Sequence, residues 1–335
     1  MKKNYYLFNP GRLSRKDNTL KFVTLDEGGK EKDVRFIPIE NVDQLYVFGS
    51  LDTNSAALNF LGQNQILIHF FDYYENYTGS FMPREYLLSG KSLIQQAKFH
   101  LNLKKRLELA RKIVDGAVFN MLKNLKYYHN RGKDLSSVIQ EIDQLSGKIS
   151  TINTIEELMG IEGMIRQTYY QAFDIILNDE FQFECRSQQP PHNELNAMIS
   201  FGNMLCYAEC LRAIYHTHLN PTISFLHEPS ERRYSLSLDL AEIFKPILVD
   251  RLIFQVVNKK IIQIEDFENK VNRIILKENA KKKFIEHWDK KINETFLHRS
   301  LNRHISYKHL IKLECYKIEK AILGLEEYKP FKAYW

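Results

Sequence analysis

The chain has 335 residues, 44% of them hydrophobic and 26% charged, which excludes a wholly disordered chain and suits one or two folded domains. Its net charge of +6 excludes no partner class by itself. We expect no secretory signal, because no apolar segment follows the N-terminal lysines, and no membrane partner, because no apolar run approaches the roughly 18 residues of a membrane helix. The chain also has no CxxC pair, so we expect a reduced, cytoplasmic protein.

The first part of the chain has a strand-like pattern. The predicted strands are YYLFN, TLKFVTL, VRFIPI, QLYVFG and ILIHFFD, separated by turn residues such as Pro10-Gly11. Between the last two, TNSAALNFLGQNQ predicts a short helix with Thr53 or Asn54 as its N-cap. We therefore predict a small β-rich domain over residues 1–90.

From about residue 91, Gly and Pro become rare and apolar residues recur with a helical period. Helices are predicted over about 93–128 and from a capping box at Thr154 and Glu157 to about residue 177. Further helices are predicted after Pro190-Pro191, over SLSLDLAEIFKPILVDRLIFQVVNK and onward to about Gly324. The tail EEYKPFKAYW is predicted to be irregular. The predicted fold class is α+β, with the small β-rich domain followed by a larger all-α domain over residues 91–335.

Two segments of the helical part are strongly basic. Residues 98–133 contain ten Lys or Arg against two acids, and residues 277–320 contain twelve against six, so both carry a local excess of positive charge. Such clusters favour a nucleic-acid partner, because binding phosphates releases counterions. The alternative is solvated helix faces that bind nothing.

The segment FLHEPSERRYSLSLDLAEIFKPILVDR places charge among core-like residues, where it is costly unless compensated. Asp239 and Glu242 are three residues apart and share a helix face, Pro246 distorts the helix beside them, and His227 lies in the preceding loop. One imidazole and two carboxylates would suit Mg²⁺ or, because of the histidine, Mn²⁺. Salt bridges would also compensate the charge.

A third acid, Glu162, is flanked by Gly160 and Gly163 in an otherwise helical segment. Each glycine costs a helix about 1 kcal/mol relative to Ala, which indicates a close approach of another backbone or of a ligand. The alternative for Glu162 is an ordinary i+4 pair with Arg166.

The chain resembles the Cas-one family, the CRISPR-associated integrases of spacer acquisition. The resemblance is carried by LMGIEGMIRQTYY, RSQQPPHNELNAMISFGNMLCYAE, FLHE, YSLSLDLAEIFKPILVDR and LGLEEYKPFKAYW, and by VFGSLDTNSAALNFLGQNQILIHFFDYYENYTGSF near the N-terminus. It implies that Glu162, His227 and Glu242 are metal ligands for Mg²⁺ or Mn²⁺ and that Asp239 is a supporting catalytic acid.

The resemblance also implies an activity and partners. It implies a metal-dependent integrase that joins 3′-hydroxyl ends of captured double-stranded DNA to the CRISPR repeat, with associated endonuclease activity. The β-rich domain would form a homodimer, and a small companion adaptation protein, Cas-two, would complete a heterohexamer. Arg186, Lys245 and Arg251 are candidates for contacts with DNA, and the alternative for each is an ordinary salt bridge. Tyr127, Tyr128, Trp288 and Tyr307 are aromatic residues that could stack on bases, and the alternative is that most of them are core or amphipathic surface residues.

Two other functions share these residues. A DNA repair nuclease would use the same metal site without joining strands. A non-catalytic DNA-binding scaffold would use the acids only as structural ion pairs.

Overall fold

The computed structural model describes residues 2–26, 28–74, 76–177, 180–187, 190–229, 234–270 and 273–334. Residue contacts divide the chain into two units, Met1–Leu88 and Ser89–Trp335. Short strands dominate the first unit and long helices the second, which confirms the predicted α+β class. In the described part of the chain, no helix combines the length and the apolarity needed to cross a membrane.

The first unit contains eight described strands and one described α-helix. They are β1 (Lys3–Leu7), β2 (Gly11–Lys16), β3 (Thr19–Leu25), β4 (Glu31–Pro38), β5 (Val42–Val47), β6 (Leu51–Thr53), α1 (Ser55–Gln63), β7 (Leu67–Phe71) and β8 (Tyr77–Phe81). Asn54 is the N-cap of α1, because its side chain accepts a hydrogen bond from the Ala57 amide at 3.0 Å. Strands β2, β6 and β8 were not predicted, since charged or small polar residues obscure their alternation.

The strands form two four-stranded sheets. One has the order β1-β5-β7-β8 and the other the order β4-β3-β2-β6. Apolar residues from both sheets and from α1 form one core, in which Leu13, Leu20, Leu45 and Ile68 are completely buried. This core explains why the predicted strands are rich in Leu, Ile, Val and Phe.

The second unit is built mainly from helices. Its elements are α2 (Gly90–Leu101), α3 (Leu103–His129), α4 (Ser136–Gly147), α5 (Ile155–Ile176), α6 (Glu194–Tyr215), α7 (Ser235–Lys245), α8 (Arg251–Asn258), β9 (Phe267–Asn269), β10 (Ile274–Leu276), α9 (Glu278–Asn293), β11 (Thr295–His298), β12 (Arg303–Ser306) and α10 (Tyr307–Ile322). Two short antiparallel hairpins, β9–β10 and β11–β12, therefore interrupt a region predicted to be all-helical.

The helix predicted over residues 93–128 is two helices in the structure. Asn102 ends α2 and caps α3, since its side chain accepts from the Lys105 amide at 3.1 Å. The periodicity continues across this break, so the pattern alone could not locate it. The helix predicted across Pro246 is likewise divided, because Pro246–Asp250 forms a π-helical turn between α7 and α8.

Helix α6 is buried on nearly all sides and lies against this π-helical turn. A Cβ atom on Gly202 would lie 2.5 Å from Val249 Cγ1, so only glycine permits this approach. The packing fixes α7 and the turn, which carry Asp239, Glu242 and Asp250.

Candidate active site

The loop that carries His227 is fixed on one side by α2 and α3. The bonds run from Gln96 Nε2 to the carbonyls of Asn220 (3.0 Å) and Ile223 (2.8 Å), between His100 Nδ1 and the carbonyl of Ser224 (2.7 Å), and from Arg106 Nε to the carbonyl of Phe225 (2.9 Å). Arg106 also pairs with Glu228 at 2.5 Å. This arginine belongs to the first basic cluster, but it is buried and supports the loop.

Asp239 fixes the same loop from the other side. Its fully buried carboxylate accepts hydrogen bonds from the backbone amides of Phe225 (2.6 Å), Leu226 (3.0 Å) and His227 (2.9 Å). It also bonds His227 Nδ1 at 2.8 Å. These four bonds explain how an acid is tolerated among apolar neighbours, and they make Asp239 a positioning residue for the imidazole.

His227 is held with one ring nitrogen engaged and the other available. When Nδ1–H donates to Asp239, Nε2 carries the lone pair. Burial by itself lowers the pKa of His227, but the hydrogen bond and charge of Asp239, with the charge of Glu242, outweigh it and raise the pKa above its usual value.

Glu242 and Glu162 are joined by Arg166. The guanidinium donates from Nε to Glu162 at 2.7 Å and from Nη2 to Glu242. Lys245 pairs with the second oxygen of Glu242 at 2.5 Å. Burial by itself raises the pKa of Glu242, but Arg166 and Lys245 outweigh it and lower the pKa to about 2, so this carboxylate is ionised at neutral pH.

The structure thus brings Glu162 and Glu242 together through one guanidinium, and places the His227 imidazole within electrostatic reach of Glu242. The i+4 pair of Glu162 with Arg166 is present, which confirms this alternative for Glu162, and its role as a metal ligand stays a prediction. Arg166 also reaches Glu242, a contact that was not predicted from the sequence. The only sequence signal for this role of Arg166 was its i+4 spacing from Glu162, because its second partner, Glu242, lies 76 residues away.

The side chains suit a divalent ion by their chemistry. Two carboxylates and one imidazole are a mixed oxygen and nitrogen set, and a buried acid on the far nitrogen of the histidine is the usual outer partner of a metal-bound imidazole. As they stand, no three His, Cys, Asp or Glu side chains in the described ranges are arranged so that they could hold an ion. In this arrangement Arg166 supplies the positive charge between Glu162 and Glu242.

Close to this cluster lies a further buried acid, Asp250. Burial raises its pKa to about 7, against the lowering effect of Arg166 and of its hydrogen bond with Tyr169. Its Oδ2 atom is buried and has no hydrogen-bond partner among the described residues. Asp250 therefore changes charge near neutral pH close to the cluster.

The three residues predicted to contact DNA are engaged within the protein. Arg186 donates to Asn196 Oδ1 at 2.8 Å and to Ser200 Oγ at 3.2 Å, Lys245 is bound to Glu242, and Arg251 lies over the ring of Tyr127 at 5.4 Å. Their contact with DNA stays a prediction.

The four aromatic candidates for base stacking divide into two groups. Trp288 and Tyr307 are buried and belong to the core, whereas Tyr127 and Tyr128 are half-buried. Tyr128 packs edge-on against Phe254 at 5.3 Å. The alternative, that most of these rings are core residues, is therefore confirmed for Trp288 and Tyr307, and packed core rings offer no free face to a base.

The two glycines beside Glu162 face open space. A Cβ atom built on Gly160 or on Gly163 would meet nothing within 4 Å among the described residues. The expected close approach of another backbone is therefore not found there. This open space lies beside α5, next to Glu162.

Comparison with known proteins matches nearly the whole chain. A family model described as CRISPR associated protein Cas1 matches residues 5–290. The chain is 48% identical over 336 residues to a CRISPR-associated endonuclease Cas1 of Thermodesulfovibrio yellowstonii, with 100% of both proteins covered. It is 39% identical to a solved Cas1 protein from Thermotoga maritima, with a TM-score of 0.86 over 97% of this chain and 98% of the other.

Two further solved structures share the fold at low identity. A casposase bound to integration product is 19% identical, with a TM-score of 0.88 over 98% of this chain and 93% of the other. A chain of a Cas6-RT-Cas1–Cas2 complex is 17% identical, with a TM-score of 0.84 over 100% of this chain and 36% of the other.

Proposed function

Because this chain belongs to the Cas1 family of CRISPR-associated nucleases and integrases, we propose that it is a metal-dependent DNA integrase of CRISPR adaptation. It joins the 3′-hydroxyl ends of captured double-stranded DNA to the CRISPR repeat by transesterification, and it cuts DNA at the same site. The observation that carries the proposal is the linking of Glu162 and Glu242 through Arg166, with an Asp239-bound His227 in electrostatic reach of Glu242.

Glu162, His227 Nε2 and Glu242 are the groups that would hold Mg²⁺ or Mn²⁺. When bound, such an ion polarises the phosphoryl oxygen and activates the attacking hydroxyl. Glu242 is ionised at neutral pH, as a ligand must be. Asp239 keeps the proton of the imidazole on Nδ1 and so leaves the Nε2 lone pair for the ion.

Arg166 and Lys245 provide positive charge beside the carboxylates. Negative charge accumulates on the phosphoryl oxygens during transfer, and fixed cations stabilise that charge. The open space beside Gly160 and Gly163 gives a DNA backbone room to approach Glu162. This role accounts for two glycines that otherwise weaken α5.

The partners follow from the family. We propose that the β-rich unit forms a homodimer and that the protein assembles with Cas2, in line with the Cas1–Cas2 complex that shares its fold. The casposase, which is bound to integration product, supports strand joining as the reaction.

The proposal is tested with a strand-transfer assay. Purified protein, with and without Cas2, is incubated with labelled 3′-hydroxyl DNA and a supercoiled repeat-bearing plasmid in Mn²⁺, Mg²⁺ or EDTA. Metal-dependent joining is expected for the wild type and should fall at least ~100-fold in Glu162→Ala and His227→Ala. Glu156→Ala, an exposed acid on the same helix, is the matched control and should retain activity.

Other outcomes point to the alternative functions. Cutting without joining, under conditions where an established integrase joins, would replace the integrase by a repair nuclease. DNA binding that is equal in all variants, with no product in any metal, would leave a non-catalytic scaffold.

A further inference from the structure

Two asparagines of α3 are buried one helical turn apart. Asn120 donates from Nδ2 to the carbonyls of Ile243 (3.0 Å) and Phe331 (3.2 Å) and accepts from the Ala333 amide at Oδ1 (2.9 Å). Asn124 donates to the carbonyl of Pro246 at 2.7 Å and to the Tyr169 hydroxyl at 3.0 Å. A buried amide is tolerated only when it is bonded in this way, so both side chains are specified by their surroundings.

The carbonyls of Ile243 and Pro246 lie where α7 gives way to the π-helical turn. Pro246 has no amide hydrogen and cannot bond the carbonyl of Glu242, so the α-helical ladder is interrupted directly after the proposed ligand. Asn120 donates to the carbonyl of Ile243, directly after Glu242, and Asn124 donates to the carbonyl of Pro246 itself. The end of α7 is therefore held by α3 as well as by its own backbone.

The C-terminal tail completes the bonding of Asn120. Tyr328, Phe331 and Ala333 are buried, and Glu314 of α10 accepts from the Tyr328 hydroxyl at 2.7 Å and from the Phe331 amide at 3.0 Å. The Phe331 ring stacks on Phe244 of α7 with centroids 6.4 Å apart. The tail was predicted to be irregular, and it is, but it packs as part of the core.

Gly116 of α3 permits the tail to pack closely against this helix. A Cβ atom on Gly116, one turn before Asn120, would lie 2.7 Å from Pro330 Cβ and 3.7 Å from Ile243 Cγ1. The tail is thus enclosed by α3, α7 and α10, and Asn120 links it to the backbone next to Glu242.

We propose that Asn120, completed by the tail segment 328–333, and Asn124 are positioning residues that fix Glu242 for metal binding and strand transfer. The two side chains bond the carbonyls of Ile243 and Pro246, so the effect passes through the backbone beside Glu242. Outer groups that orient a metal ligand typically change metal affinity or activity 10–100-fold when they are removed. This inference rests on the proposed function.

The test uses the full-length protein with Asn120→Leu, a substitution that keeps the number and branching of the side-chain heavy atoms and removes all three hydrogen bonds. Tyr328→Phe is a milder variant, because it removes only the hydroxyl bond to Glu314. Ile311→Val, a completely buried position on α10, is the matched control for general destabilisation. Backbone amide exchange over residues 243–251 and Mn²⁺ affinity from the signal of the free ion are measured well below the unfolding temperature.

We expect amide exchange at residues 243–251 to be at least ~10-fold faster in Asn120→Leu than in Ile311→Val, and Mn²⁺ affinity to fall about 10-fold. Tyr328→Phe should lie between the two. Exchange as slow as in the control would overturn the inference, and so would faster exchange with control-like Mn²⁺ affinity and joining. A wild type that binds no Mn²⁺ would instead overturn the metal site of the proposed function, while the exchange data would still decide whether α3 and the tail hold α7.

Discussion

Single side chains at this site are specified by bonds that the sequence does not display. Asp239 was predicted as a supporting catalytic acid, and in the structure its four hydrogen bonds hold the loop at Phe225–His227 and one ring nitrogen of the imidazole. Arg166 was predicted at most as an i+4 partner, and it bridges both carboxylates. In each case the type of residue was informative and its role was not.

The raised pKa of Asp250 predicts that the free energy of unfolding depends on pH. Its pKa is about 7 in the folded protein against an ordinary 3.8, so below pH ~4 both the folded and the unfolded state hold the proton. As the pH rises from ~4 to ~7 the unfolded state loses the proton first, and the free energy of unfolding falls. Above pH ~7 both states are ionised and the loss is complete.

Asp250→Asn removes this titration. The difference in free energy of unfolding between variant and wild type should therefore shift in favour of the variant by up to ~4 kcal/mol between pH 4 and pH 7. Urea unfolding of both proteins across this range measures the difference. Parallel curves would show that Asp250 is ionised in the folded protein throughout.

Whole helices place the ligands through their packing and their defects. Helix α7 is held by α6, by α3 and by the tail, and it ends in a π-helical turn at Pro246. Helix α5 keeps two glycines beside Glu162 that face open space. Both features weaken the regular helix near a proposed ligand, which is where proteins tend to sacrifice stability for function.

Gly160→Ala and Gly163→Ala should separate stability from activity. Each alanine meets no neighbour and should stabilise α5 by up to ~1 kcal/mol, while a methyl group in the proposed DNA path should reduce strand joining several-fold. Gly147→Ala, a helical glycine of α4 with equally open surroundings, is the control and should stabilise without reducing joining. Full joining by all three variants would show that DNA does not use this space.

Across the molecule, charge is distributed less simply than the composition suggests. In the two basic segments several lysines pair with acids, among them Lys282 with Glu278 at 2.5 Å and Lys290 with Glu286 at 2.6 Å. Lys104 and Lys126 of α3 are exposed. The count of basic residues therefore overstates the charge available to phosphates.

The salt dependence of DNA binding tests this distribution. The double variant Lys104→Gln/Lys126→Gln should weaken binding to any sequence and make the slope of log affinity against log salt less negative by about 1 per lost phosphate contact. Lys290→Gln, which removes a lysine already paired with an acid, should leave the slope nearly unchanged. Equal effects of all substitutions would show that position on α3 does not matter.

The sequence by itself determined the fold class, most helices, five strands of the first unit and the family, and it predicted Glu162, His227, Asp239 and Glu242 as site residues, because periodicity and short ordered motifs are local properties of a chain. It could not determine the break at Asn102, the two hairpins of the helical unit or the burial of the tail, since those depend on which surfaces meet. Only the tertiary structure decided that Arg166 joins residues 162 and 242 and that Asn120 supports residue 243. The physical reason is that hydrogen bonds and ion pairs depend on distance in space, and residues separated by 76 or 123 positions leave no local pattern.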